Sequence, residues 1–232
     1  MSESSIFVVA TPIGNLEDIT LRALKILKEV DFVLCEDTRV TGVLLHHYEI
    51  KKEMISFNAQ SETKKIDMIL SRLAWGEKCA LVSDAGTPCI SDPGVRFINA
   101  AIKNGIEVAS VPGASAVMAA LSIAGLPTDS FVFEGFLPQK KGRQTMLKIL
   151  SEEPRTIVVY ESTYRIEKLL NELNQFMPSR FIVVCRELTK KFEETWRGLP
   201  AELLENFSEK TTKGEFVLIL APLNWKEEER SN

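Results

Sequence analysis

The sequence predicts an α/β protein made of two α/β domains, and three observations predict it. Short apolar, β-branched runs alternate with helical patterns through the first half; several of those runs break into loops dense in Gly, Pro, Ser and Thr; and beyond Gly125-Leu126-Pro127 a second set of strong strands begins. A chain of 232 residues, 45% hydrophobic and 26% charged, can bury a sizeable core as one large or two small domains.

In the first half, strands are predicted at Ile6 to Ala10, Asp31 to Cys35, Met54 to Phe57, Cys79 to Ser83 and Glu107 to Val111. Helices are predicted between them near Leu21 to Lys28, Thr41 to His47, Glu62 to Ala74, Val95 to Asn104 and Ser115 to Ala124, an alternation that implies a mainly parallel sheet. In the second half, FVFEGFLPQKKGR from Phe131 is followed by strands at Thr156 to Tyr160, Phe181 to Cys185 and Phe216 to Leu220, with helices around Thr145 to Leu150, Arg165 to Asn174 and Pro200 to Phe207. The expected domains are 1–127 and 128–232, with the boundary near Pro127 to Asp129. The charged ending NWKEEERSN is expected to fray.

Composition narrows the function. The apolar runs are short and interrupted, and MSESSIFVVATPIGN lacks a signal peptide's charged and long apolar regions, so a cytoplasmic protein without a membrane span is expected. Cys35, Cys79, Cys89 and Cys185 are scattered and His46 and His47 are adjacent, a pattern that supports no metal site. A net charge of −4 argues against generic adhesion to nucleic acid. The local exceptions are Lys140, Lys141 and Arg143 in a Pro/Gly loop, and Lys190, Lys191 and Arg197 near Phe192 and Trp196. Solvated loop charge is the plainer account of both groups.

The chemistry concentrates in loops. LVSDAGTPCISDPG, Leu81 to Gly94, follows a strand and precedes a helix; its glycines permit close backbone approach, its prolines fix the loop, and Asp84 offers a carboxylate. The same strand, loop, helix phrase recurs at residues 6 to 20 and 106 to 121. In a parallel sheet such loops share the carboxyl edge and can line one crevice. Glu36, Asp37 and Arg39 follow the second strand to that edge, where they suit substrate positioning and proton acceptance. Asp37-Thr38 suits a helix cap with an ion pair equally well.

TPIGNLEDITLRAL, EDTRVTGVLL, LVSDAGTPCISDPG, VPGASA, FEGFLPQKKGR, VVYESTYR and CRELTKKFEE, in this order from about Ile6 to about Ala221, resemble the ribosomal small-subunit RNA (cytidine-2′-O)-methyltransferase I family of the tetrapyrrole methylase superfamily. The resemblance implies S-adenosyl-L-methionine folded into a cleft between the two α/β domains. It maps cofactor binding onto Pro12 and Gly14, onto Asp84, Ala85, Gly86, Thr87 and Ile90, and onto Gly113, Ser115 and Ala116. It adds backbone of the second domain at Tyr160, Glu161 and Ser162 and at the strand start Lys213 to Val217, including Gly214 and Glu215. Lys140, Lys141, Arg143 and Lys190 become candidate RNA contacts, and the implied partners are small-subunit ribosomal RNA or the assembled small subunit, with a homodimer expected.

The chain differs from common members at NAQSE (58–62), where His-Asn-Glu is usual, and at Tyr164, where many carry His. Many members also continue into further C-terminal helices. Two other acceptor readings stand beside ribose methylation: a tetrapyrrole or other acceptor methylated by the same chemistry, and a non-catalytic cofactor-binding module that engages the ribosome.

Overall fold

The computed structural model describes residues 5–205, 207 and 213–226. The chain forms two compact units that divide between Ser115 and Ala116.

The first unit runs β1 (Ile6–Val9), α1 (Leu21–Glu29), β2 (Phe32–Cys35), α2 (Thr38–His47), β3 (Glu53–Ser56), α3 (Glu62–Ala74), β4 (Cys79–Leu81), α4 (Val95–Lys103) and β5 (Val108–Val111). Its sheet has the order β3-β2-β4-β1-β5, and every pairing is parallel. Alternate residues of each strand feed opposite faces. Val9, Val33, Cys35 and Ala80 pack with Ala23 and Leu27 of α1 and Leu45 of α2. Ile6, Phe32, Leu34, Cys79 and Leu81 pack with Ile69 and Leu73 of α3 and Phe97 and Ala101 of α4. Burial on both faces is why β2 reads as the unbroken run FVLC rather than as an apolar–polar alternation. Helix α1 starts where the Thr20 hydroxyl accepts from the Ala23 amide at 3.1 Å.

The second unit runs α5 (Ala116–Ala124), β6 (Phe131–Phe136), α6 (Arg143–Ser151), β7 (Thr156–Ser162), α7 (Ile166–Phe176), β8 (Ile182–Arg186), β9 (Glu194–Gly198), α8 (Pro200–Glu205) and β10 (Glu215–Leu220). The sheet order is β6-β7-β10-β8-β9, parallel between β6 and β7 and antiparallel elsewhere. Ile157, Val159, Ile182, Val184, Leu218 and Leu220 face a core closed by Leu147 of α6, Leu169 and Leu173 of α7 and Leu203 of α8. Helix α5 packs on β10, and this places the division at Ser115, ahead of the Pro127 to Asp129 segment where the sequence changes texture.

Strand β9 has no counterpart among the sequence expectations. Its residues ETWRG carry one large apolar side chain, Trp196, which is buried while Arg197 is exposed. The tail expectation falls partly outside the described residues, at 227–232; ahead of it Trp225 packs on Phe181 with ring centroids 5.0 Å apart. Among the described residues no helix is long and apolar enough to cross a membrane, and no group of side chains is placed to hold a metal ion.

Candidate active site

Because all five strands of the first sheet run the same way, the segments after β1, β2, β4 and β5 emerge at one edge, and hydrogen bonds lace them together. Thr11 and Gly86 exchange backbone hydrogen bonds at 2.9 and 3.0 Å, an isolated bridge between the first loop and the central one. The Thr11 hydroxyl donates to the Ser83 carbonyl at 3.0 Å, and the Thr87 hydroxyl donates to the Ala114 carbonyl at 3.2 Å. The Asp37 amide donates to Asp84 Oδ1 at 3.0 Å, which ties the β2 segment to the same loop.

Small residues make this approach possible. Gly86 holds φ +82, and a Cβ there would meet Ile13 Cγ2 at 3.4 Å; a Cβ on Gly113 would come within 3.0 Å of the Ala10 Cβ. The central loop also holds Cys89 and Ser91 at positive φ (69° and 66°), strained conformations fixed by the surrounding structure. Pro12 and Gly86 are buried, Thr87, Ser115 and Ala116 half-buried, and Gly14, Asp84, Ala85, Ile90 and Gly113 exposed. The structure therefore brings the loops carrying the mapped residues of this unit to one edge, together with Thr11 and Ser83, which sequence reasoning passed over although both lie in the quoted motifs.

The three residues after β2 separate by environment. Asp37 caps α2: its carboxylate accepts the Arg39 amide at 2.8 Å and pairs with the Arg39 guanidinium at 2.6 Å. Arg39 holds the Asp37 carboxyl down to about 2, which makes it a poor base. The Arg39 side chain is 89% exposed. Glu36 is half-buried, and burial, then the charges of Asp92 and Asp84, push its carboxyl up to about 7. Asp92, absent from the sequence expectations, rises to about 6 through burial, with the Ser83 hydroxyl bond opposing it. Of the candidates, Glu36 has the proton affinity of a base working near neutral pH.

The edge of the second sheet where β6, β7 and β8 end and β10 begins is built differently. Tyr160, Glu161 and Ser162 pair in register with Val217, Phe216 and Glu215, and the Thr163 hydroxyl both accepts from the Gly214 amide at 2.7 Å and donates to its carbonyl at 2.6 Å. One expectation of RNA contact does not survive at this edge. Arg143 is only 3% exposed; it pairs with Glu172 at 2.7 Å, lies 3.6 Å from Glu161 and donates to the Pro138 carbonyl at 3.1 Å, so it is a core ion pair. Lys190 sits between Glu187 at 2.9 Å and Glu215 at 2.7 Å, and its charge is neutralised locally. Lys140 and Lys141 are exposed and make no ion pair with described residues.

A family model described as Tetrapyrrole (Corrin/Porphyrin) Methylases matches residues 5–204. The chain belongs to this family. Ribosomal RNA small subunit methyltransferase I of Thermotoga maritima is 46% identical over 216 residues, 93% of this chain and 97% of the relative. The protein of the same description from Escherichia coli O157:H7 is 45% identical over 233 residues, 98% of this chain and 81% of the relative. Among solved structures, uroporphyrin-III C-methyl transferase from Thermus thermophilus complexed with S-adenyl homocysteine shares the fold, with a TM-score of 0.64 at 20% identity over 95% of this chain and 98% of that one.

Tetrapyrrole methylases of this kind use S-adenosylmethionine, and the first edge has the makings of a site for it. Exposed Ala85 and Gly113 leave backbone open to a ligand, Ile90 presents an apolar side chain that is 49% exposed, and Asp84 supplies an exposed carboxylate. A Cβ at Gly113 would crowd the first loop at Ala10.

Proposed function

We propose that this chain transfers a methyl group from S-adenosylmethionine to the 2′-hydroxyl of a cytidine ribose in small-subunit ribosomal RNA. The observation that carries the reading is Glu36, raised to about 7 at the edge where small-residue loops converge, in a chain of the methyltransferase I kind. The bound cofactor supplies an electrophilic sulfonium methyl group. Everything else falls to the protein: the loops at Thr11, Gly86 and Ala114 fix the position of the ligand, and Glu36 accepts the ribose hydroxyl proton. Asp37 and Arg39 hold the start of α2 and so fix the segment that carries Glu36.

Lys140 and Lys141 contact acceptor phosphates. With Arg143 buried against Glu172 and a net charge of −4, the chain has little net attraction for naked RNA, so the acceptor is an assembled small subunit whose folded surface completes recognition. A homodimer in the cytoplasm would present two such lysine pairs at once. The test incubates the protein and labelled cofactor with small subunits, protein-free ribosomal RNA or a tetrapyrrole precursor. Label on a ribose of the small subunit, weakened and made less salt-dependent by K140A/K141A, is expected; label on the tetrapyrrole alone would overturn the reading.

A further inference from the structure

Phe136 is the last residue of β6 and is 55% exposed, between buried Gly135 and Leu137. A register shift between Phe133 and Gly135 explains its setting. The irregularity brings Phe133 and Phe136, three residues apart, against the same Tyr160 ring, at 5.0 and 5.5 Å. The Arg165 guanidinium lies 6.0 Å from the Phe136 centroid and is anchored by Glu161 at 2.8 Å and the Ser162 hydroxyl at 3.2 Å. Tyr164, beside Arg165 in the chain, is 94% exposed. Lys140 and Lys141, which make no ion pair with described residues, lie in the loop that follows β6.

We propose that Phe136, backed by Tyr160 and Arg165, is a stacking platform for an unpaired base of the acceptor RNA, whose flanking phosphates are met by Lys140 and Lys141. A supported, half-exposed aromatic ring, followed in the chain by two exposed lysines, fits a ligand that is flat, aromatic and polyanionic together. Unstacked nucleotides have all three properties, whereas an apolar protein partner would leave the lysines desolvated and unanswered. The inference rests on the ribosomal RNA methyltransferase reading and adds to it how the acceptor is held.

The test compares F136A, F136L and F136W in the full chain, with small subunits as acceptor and S-adenosylhomocysteine affinity measured by calorimetry. Stacking of one base predicts that F136A and F136L both raise KM for small subunits roughly ten- to a hundredfold, while F136W stays near the parent and cofactor-product affinity is unchanged in all three. F136L includes an apolar side chain without a π face, so parental behaviour of F136L would overturn the platform. So would a loss of S-adenosylhomocysteine affinity at unchanged KM, which would assign the ring to the adenine of the cofactor, or loss of self-association in sedimentation, which would assign it to a second copy. Failure of the parent protein to label any ribosomal RNA would instead remove the functional reading, and the platform with it.

Discussion

The two sheet edges solve the same construction problem by different means. In the first unit, parallel strands deliver loop after loop to one edge, and small residues let their backbones hydrogen-bond directly, as between Thr11 and Gly86. In the second, β10 begins where β7 and β8 end, and long charged side chains brace the segments around those termini: Arg143 of α6 to Glu172 of α7, Arg165 to Glu161, Lys190 to Glu187 and Glu215. Backbone lacing leaves polar groups and carboxylates open to a small ligand. Ion-pair lacing engages Arg143, Arg165 and Lys190 with carboxylates of the same unit, whereas Lys140 and Lys141 make no ion pair with described residues.

The largest effect that tests this contrast is on stability. Replacing Arg143 by Ala removes the cation that faces two buried carboxylates, Glu172 and Glu161, and is expected to cost about 3–5 kcal/mol in urea denaturation. Lys140→Ala, three residues earlier on the surface, should stay within about 0.5 kcal/mol of the parent. If both variants unfold with the parent, ion pairs do not build the second edge.

Next comes Glu36, where the first edge is expected to act through a proton. Glu36→Gln keeps the shape and removes the base, so kcat should fall about a hundredfold. Parent activity should rise with pH through about 7 and then level, and the variant should lose that limb. Stability carries the opposite sign. A carboxyl whose pKa is raised by folding contributes fully below its ordinary 4.5, and that contribution is lost as pH rises through about 7; Asp92, raised to about 6, acts in the same sense. A pH–rate profile in Glu36→Gln superimposable on the parent's would move the proton acceptor elsewhere.

Much of this was legible in the sequence because its signals are local. Unbroken apolar runs give a parallel strand buried on both faces, and Gly/Pro loops after such runs must gather at one edge, so the convergence of those loops follows from pattern alone. What escaped depends on partners distant in the chain. Nothing around Arg143 reveals that Glu172, on the next helix of that sheet, will bury its guanidinium, and QKKGR reads as three equivalent surface cations. Strand β9 carries mixed polar residues around one buried tryptophan and has no apolar run to announce it. Asp92 lies in a motif that was read for its turn residues, yet its raised pKa comes from burial and from Asp84, neither of which the motif displays.

The smallest effect asks whether backbone lacing matters to the ligand or only to the fold. Gly86 and Gly105 both sit at positive φ, +82 and +71, so an alanine at either carries similar backbone strain, about 1–2 kcal/mol. Their surroundings differ. A Cβ at Gly105 meets nothing within 4 Å, whereas one at Gly86 touches Ile13 at 3.4 Å, beside the bridge that joins the first and central loops. Both variants should therefore lose similar stability, but only Gly86→Ala should bind S-adenosylhomocysteine more weakly, by several-fold in calorimetry. Equal affinities in the two variants would mean that the loops tolerate displacement at their junction, and the contrast between a ligand-shaped first edge and a charge-braced second edge would lose its first half.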